Sequence, residues 1–175
     1  MANTYTLIAS STVGSGGVAS ITFGSGGTLS QTYTDLLLVF SVRTNAGGNE
    51  ENIKITFNGV TGSSYSSKLL YGSGTGAASY SSSTTLEHQY ANAAGSTSNT
   101  FASNQMYIPN YTSSNYKSVS VDSVTENNAT AESMGLSAGI FNNSSPITEL
   151  TIQPLSGANL IVQYSSAYLY GISNS

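Results

Sequence analysis

The sequence predicts an all-β fold, a two-sheet antiparallel β-sandwich of jelly-roll type in one domain over residues 1–175, with a closed barrel as the alternative. Three observations carry this. Apolar residues recur at every second position in run after run, the period of a pleated strand with one dry face. Each run stops within a few residues at a cluster of Gly, Asn, Ser or Pro, the turn formers. No stretch joins helical spacing to an N-cap and ten or more good helix formers. The nearest, Ala129 to Leu136, is interrupted by Thr130 and Ser133 and reads as a loop entering a strand.

Taken in order, Ile21 and Phe23 flank Thr22 in a short strand. Asp35 to Arg43 places Leu36, Leu38, Phe40 and Val42 on one face. Its other face carries Leu37, Val39, Ser41 and Arg43, so this strand begins buried on both sides and ends half solvated. Ile53, Ile55 and Phe57 alternate with polar residues and run into Asn58-Gly59, a pair suited to a tight turn. Lys68 to Tyr71 is a short strand, and Leu86, His88 and Tyr90 share the face of another. Phe101 to Ile108 sets Ala102, Met106 and Ile108 against Phe101 and Tyr107. Lys117 to Glu126 is a second long strand, with Val119 and Val121 on its dry side. Met134, Leu136, Ala138 and Ile140 form a further apolar face, expected to be buried. Leu150 with Ile152, then Leu160, Val162 and Tyr164, then Ala167, Leu169 and Gly171 complete ten to twelve strands. Gly14-Ser15-Gly16-Gly17 and Gly24-Ser25-Gly26-Gly27 read as turns, and Gly72 to Ser83 as a long exposed loop.

Half of the chain, 87 of 175 residues, is Ser, Thr, Asn or Gly, and only 7% is charged. Four basic residues against eight acidic ones give a net charge of −4. Four scattered cations cannot neutralise a phosphate backbone, so no nucleic acid is expected as a partner. No apolar run approaches the length of a membrane span, and no membrane partner is expected. Met1-Ala2-Asn3-Thr4 has neither the basic nor the apolar region of a secretory leader. Cysteine is absent, which removes disulfides and thiolate metal sites. Hydrophobic residues at 38% and twelve tyrosines argue for a folded chain over a disordered one.

Catalytic chemistry has no signature here. Gly72-Ser73-Gly74-Thr75-Gly76 lacks the helix and the lysine that a phosphate-binding loop requires. His88, the single histidine, reads as a half-buried sheet residue without a triad around it. The eight carboxylates (Asp35, Glu50, Glu51, Glu87, Asp122, Glu126, Glu132, Glu149) fall in no recognisable pair for glycoside hydrolysis. Asp122 and Glu126 on one strand face, with Asn127 and Asn128, offer oxygens to calcium but without a calcium-loop spacing. No cofactor and no metal site is expected. The strongest signal is tyrosine, which gives large contact area at low entropic cost and suits cores, protein interfaces and sugar platforms alike. Tyr65, Tyr71, Tyr80, Tyr111 and Tyr116 are the candidate interface residues. The sequons at Asn110, Asn128, Asn142 and Asn143 are expected by chance in so Asn- and Ser-rich a chain.

Several stretches carry a resemblance. These are Thr4 to Ser10, Gln31 to Leu38, Tyr107-Ile108-Pro109-Asn110-Tyr111 followed by Lys117-Ser118 and Ser123 to Asn128, and Tyr168-Leu169-Tyr170-Gly171-Ile172. Together they resemble a family of small virion proteins of tailed phages of aquatic bacteria. Gly24 to Leu29 departs from the short Pro-containing turn expected there. The resemblance implies a capsid decoration (cement) protein made in the host cytoplasm and carried on the capsid surface. Its implied partners are the major capsid protein and copies of itself in a homotrimer, with no enzymatic activity. The alternative it allows is a receptor- or carbohydrate-binding tail-fibre domain, whose partner is a host surface glycan. With a first strand expected from Tyr5, a last near Gly171 and no heptad run, no fibre shaft is expected, which favours decoration.

Overall fold

In the computed structural model, described for residues 5–128 and 133–173 (His88 by its backbone alone), every regular element is a strand. The twelve are β1 (Tyr5–Thr12), β2 (Ile21–Phe23), β3 (Asp35–Val42), β4 (Glu50–Phe57), β5 (Tyr65–Ser73) and β6 (Gly76–Ser82). They continue with β7 (Leu86–Asn92), β8 (Ala102–Ile108), β9 (Lys117–Val124), β10 (Ser133–Phe141), β11 (Leu150–Pro154) and β12 (Ser166–Ile172).

Four antiparallel pairings define the topology: β1 with β12, β2 with β11, β3 with β8 and β4 with β7. They nest inside one another along the chain, as in a long hairpin rolled up on itself. The rolled hairpin yields the four-strand arrays β1-β12-β3-β8 and β2-β11-β4-β7. This is the jelly roll that the strand count predicts. Two further hairpins, β9–β10 and β5–β6, extend the first array to eight strands in the order β1-β12-β3-β8-β9-β10-β5-β6. Strand β7 lies beneath this extension, against β5, β8, β9 and β10.

Between the sheets lie Leu36, Leu38 and Phe40 of β3, Ile53, Ile55 and Phe57 of β4, Met106 and Ile108 of β8, and Leu150 and Ile152 of β11, all fully buried or nearly so. The alternations in these strands are those read from the sequence. Asn58 and Gly59 form the expected turn, both at positive φ (53° and 65°). The Asn58 side chain also clamps the β11 approach, accepting from Thr148 N (2.8 Å) and donating to Pro146 O (2.8 Å).

The structure corrects several sequence expectations. Gly72 to Ser83 is mostly the β5–β6 hairpin rather than a loop. It turns at Gly74, whose φ is 56°, and β5 runs well beyond Lys68 to Tyr71. Backbone pairing with β5 holds an edge strand whose small side chains carry no apolar alternation to read. Strand β9 stops at Val124, so Glu126 leaves the strand on which Asp122 sits and instead accepts from Asn128 N (2.6 Å). Arg43 is buried rather than solvated. The largest reversal concerns β10. Met134, Leu136 and Ile140 face outward, 60%, 61% and 46% exposed, while Ser133, Gly135, Ser137 and Gly139 face inward. The reason is the closeness of β7 and β5. A Cβ on Gly139 would stand 2.3 Å from Leu86 Cδ2, and one on Gly135 2.7 Å from Leu69 Cδ1. Over Ser133 to Gly139 only the small-residue face of β10 fits inside, and Phe141 is buried beyond it.

Candidate functional site

Two features of the eight-stranded sheet stand out as surfaces for recognition. The first is its outer face, which carries two apolar zones. Leu7, Tyr170, Leu37 and Tyr107 stand side by side across β1, β12, β3 and β8. Tyr168 and Val39 form the neighbouring pair. Beneath this zone the buried Asp35 carboxylate accepts from Tyr107 Oη (2.8 Å) and Asn110 N (2.8 Å). That hydrogen bond is the main cause holding the Tyr107 hydroxyl above its ordinary pKa. The second zone is aliphatic: Met134, Leu136 and Ile140 of β10, Leu70 of β5 and Val124 of β9. A groove of about 560 Å³ runs along Leu70, Val124, Met134 and Leu136, with Gln105 and Asp122 on its polar side. Outward residues of β8 and β9, among them Gln105, Ser120 and Asp122, separate the two zones.

The second feature is a cleft of about 380 Å³ between the sheets, where the β5–β6 hairpin overhangs β4 and β7. Tyr71 is its centre, with Tyr80 at 6.1 Å and Tyr90 at 5.8 Å between ring centroids. Glu50, Glu87 and Asn52 line the opposite wall. The Asn52 Oδ1 is buried without a partner, and Glu87 accepts from the Thr85 hydroxyl. Burial, then the nearby Glu50 charge, pushes the Tyr90 hydroxyl far above its ordinary pKa.

The five tyrosines singled out from the sequence do not form one surface. Tyr65 and Tyr111 are core residues, 2% and 0% exposed. Tyr65 stacks on Phe141 at 5.0 Å, and its hydroxyl accepts from Phe57 N (2.9 Å) and donates to Val60 O (3.1 Å). Burial pushes its pKa up to about 12. Tyr111 donates to Ser30 O. Their removal from the interface set follows from burial: a ring enclosed by its own chain meets no partner. Tyr71 and Tyr80 belong to the cleft. Tyr116 is exposed between β8 and β9, apart from both features.

Sequence reasoning missed Leu70, Met134, Leu136 and Ile140 as surface residues because alternation marks two faces without saying which is inside. The signal that could have found them is the interleaved set Ser133, Gly135, Ser137, Gly139. Small side chains at every second position mark the face that another element approaches closely. His88's side chain, Glu132 and the sequon residues Ala129 and Thr130 lie outside the described residues. No group of three or more His, Asp or Glu able to hold a metal is found among the described residues.

Comparison of the chain with protein-family models, with curated proteins and with solved structures returned no match.

Proposed function

We propose that this chain is a structural protein of a tailed-phage virion, a decoration protein that binds the outside of the head and stabilises the major capsid lattice. One observation carries the reading. The broad sheet turns an uncharged tyrosine and aliphatic surface to solvent, centred on Leu7, Tyr170, Leu37 and Tyr107, although the fold had an interior in which to hide such groups. Apolar faces of this breadth belong to chains that work in contact with others. The role is mechanical rather than catalytic. A rigid sandwich that binds only the assembled shell shifts the equilibrium towards the intact lattice by mass action.

Quantitative mass spectrometry of purified virions tests this. A copy number comparable with that of the major capsid protein is expected, and a few copies per particle would place the chain in the tail instead.

A second reading, carbohydrate binding by a fibre domain, is favoured by the cleft. Three tyrosine rings opposite two carboxylates and an unpartnered amide oxygen suit a polyhydroxylated ligand, with ring faces for the sugar body and acceptors for its hydroxyls. A glycan array separates the two. Binding that disappears in Tyr80→Ala supports the sugar reading, whereas retention on empty capsids with no glycan signal supports decoration.

A further inference from the structure

The aliphatic zone of the outer face is self-complementary, and we propose that it pairs with a second copy of this chain about a two-fold axis running along the β5–β10 seam. The register makes the argument. Across that seam Met134 pairs with Gly72, Leu136 with Leu70, and Ile140 with Ser66. A two-fold axis along the seam lays β10 of one copy over β5 of the other. Each outward residue of β10 then lies over the copy of its own cross-strand partner. Met134 meets Gly72, Ile140 meets Ser66, and the two Leu136–Leu70 pairs close on each other at the centre. Away from that centre large and small side chains face each other, Ala138 lying under Lys68, so the two faces can interdigitate at the spacing of packed sheets.

Charge points to the same occupant. The outer face from β9 to β6 carries one cation and one carboxylate among its described residues, Lys68 on β5 and Asp122 on β9. This face is neutral on a chain of net charge −4, so two copies can approach through it without charge repulsion. Asp122 pairs with Leu136, and Leu70 pairs with Ser79 of β6. The same axis therefore brings the copy's Asp122 over Ser79. One outward position along, Ser81 Oγ holds the Lys68 ammonium at 2.6 Å. Two symmetric Lys68–Asp122 pairs flank the apolar centre, as an isologous interface demands.

The area fits a reversible pairing. Four strands, β9, β10, β5 and β6, overlap about this axis, and at about 4.8 Å spacing and roughly 27 Å long they present about 520 Å². That lies below the roughly 600 to 1,000 Å² each partner gives to a stable interface and within the range of transient ones. The Leu7–Tyr107 zone stays outside this pairing, free for the lattice contact proposed above.

Sedimentation velocity over a concentration series tests the pairing. The expected result is a reversible dimer that Leu136→Glu converts to monomer with unchanged circular dichroism. Lys68→Asp and Asp122→Lys should each weaken dimerisation at least tenfold, and the double reversal should recover most of the loss. Monomer at every concentration, the trimer that the family resemblance implies, a dimer indifferent to Leu136→Glu, or a double reversal no better than the singles would each overturn it. A monomer that still binds capsids would refute the pairing alone, and the decoration reading would stand.

Discussion

Two of the chain's four basic side chains serve as clamps on backbone carbonyls. Lys117, a residue only 1% exposed, donates through its ammonium to Asn115 O (2.6 Å), Ser145 O (2.7 Å) and Asn143 O (3.2 Å), tying the start of β9 to the segment after β10. Arg43 donates to Thr97 O (2.8 Å), Thr100 O (3.1 Å) and Ser96 O (3.0 Å), shaping the loop between β7 and β8. A buried carbonyl stripped of its donor costs about 1 to 3 kcal/mol. Lys117→Met, which keeps the apolar stem, should therefore lower stability by about 3 kcal/mol in urea melts. Tyrosine sets the alkaline limit. Tyr65, Tyr90 and Tyr111 are held above the ordinary phenol value chiefly by burial, Tyr65 up to about 12. Unfolded tyrosines ionise near pH 10, so above that pH the unfolded state binds fewer protons than the folded one, and stability falls as pH rises. The stability these groups contribute is complete below about pH 10 and is lost through pH 12. Tyrosinate absorbance should consequently rise in step with loss of the folded signal, and Tyr65→Phe should soften that coupling while costing about 1 to 3 kcal/mol at neutral pH, because Phe57 N loses its acceptor.

At the scale of the strand, β10 is the informative element. From Ser133 to Gly139 its inward residues are small because β7 and β5 leave no room, with Leu86 Cδ2 and Ser66 O at 2.3 and 3.0 Å from a Cβ built on Gly139; the large Phe141 turns inward only at the strand's end. Its outward residues are apolar, and all but Ala138 are large. The same strand should therefore answer mutation in opposite ways on its two faces. Gly139→Ala overpacks the interior and should cost about 1 to 3 kcal/mol. Leu136→Ser, on the exposed side, should leave the monomer's stability within about 0.5 kcal/mol. Chemical denaturation of the two variants checks this, and equal losses would refute the assigned orientation. Gly171 obeys the same logic in β12, where an added Cβ would stand 2.3 Å from the Tyr33 ring.

For the whole molecule, the shortage of charge shapes any attachment it makes. If the chain decorates capsids as proposed, with the Leu7–Tyr107 zone as the contact, that binding would rest on apolar area and hydrogen bonds, which salt screens little. Raising ionic strength from about 0.05 to about 0.5 M should change capsid occupancy by less than about twofold, read by pelleting of purified protein with capsids. Release by moderate salt would show that ion pairs, and a different face, make the attachment.

Period-two alternation and turn clusters are local signals, so the fold class, most strand positions and the core of β3, β4 and β11 were legible in the chain alone. Asn58-Gly59 announced its turn for the same reason. The shortage of surface charge was legible too, since composition fixes charge whatever the topology. The direction of β10, the pairing of β6, the burial of Arg43 and Lys117, and the sorting of tyrosines into core, cleft and exposed loop came from the packed fold. Each depends on which element lies opposite, at sequence separations no local pattern reaches. Tyr65 and Tyr80 read alike in the chain. One is enclosed beside Phe141, and the other stands over a cleft, because different strands came to face them.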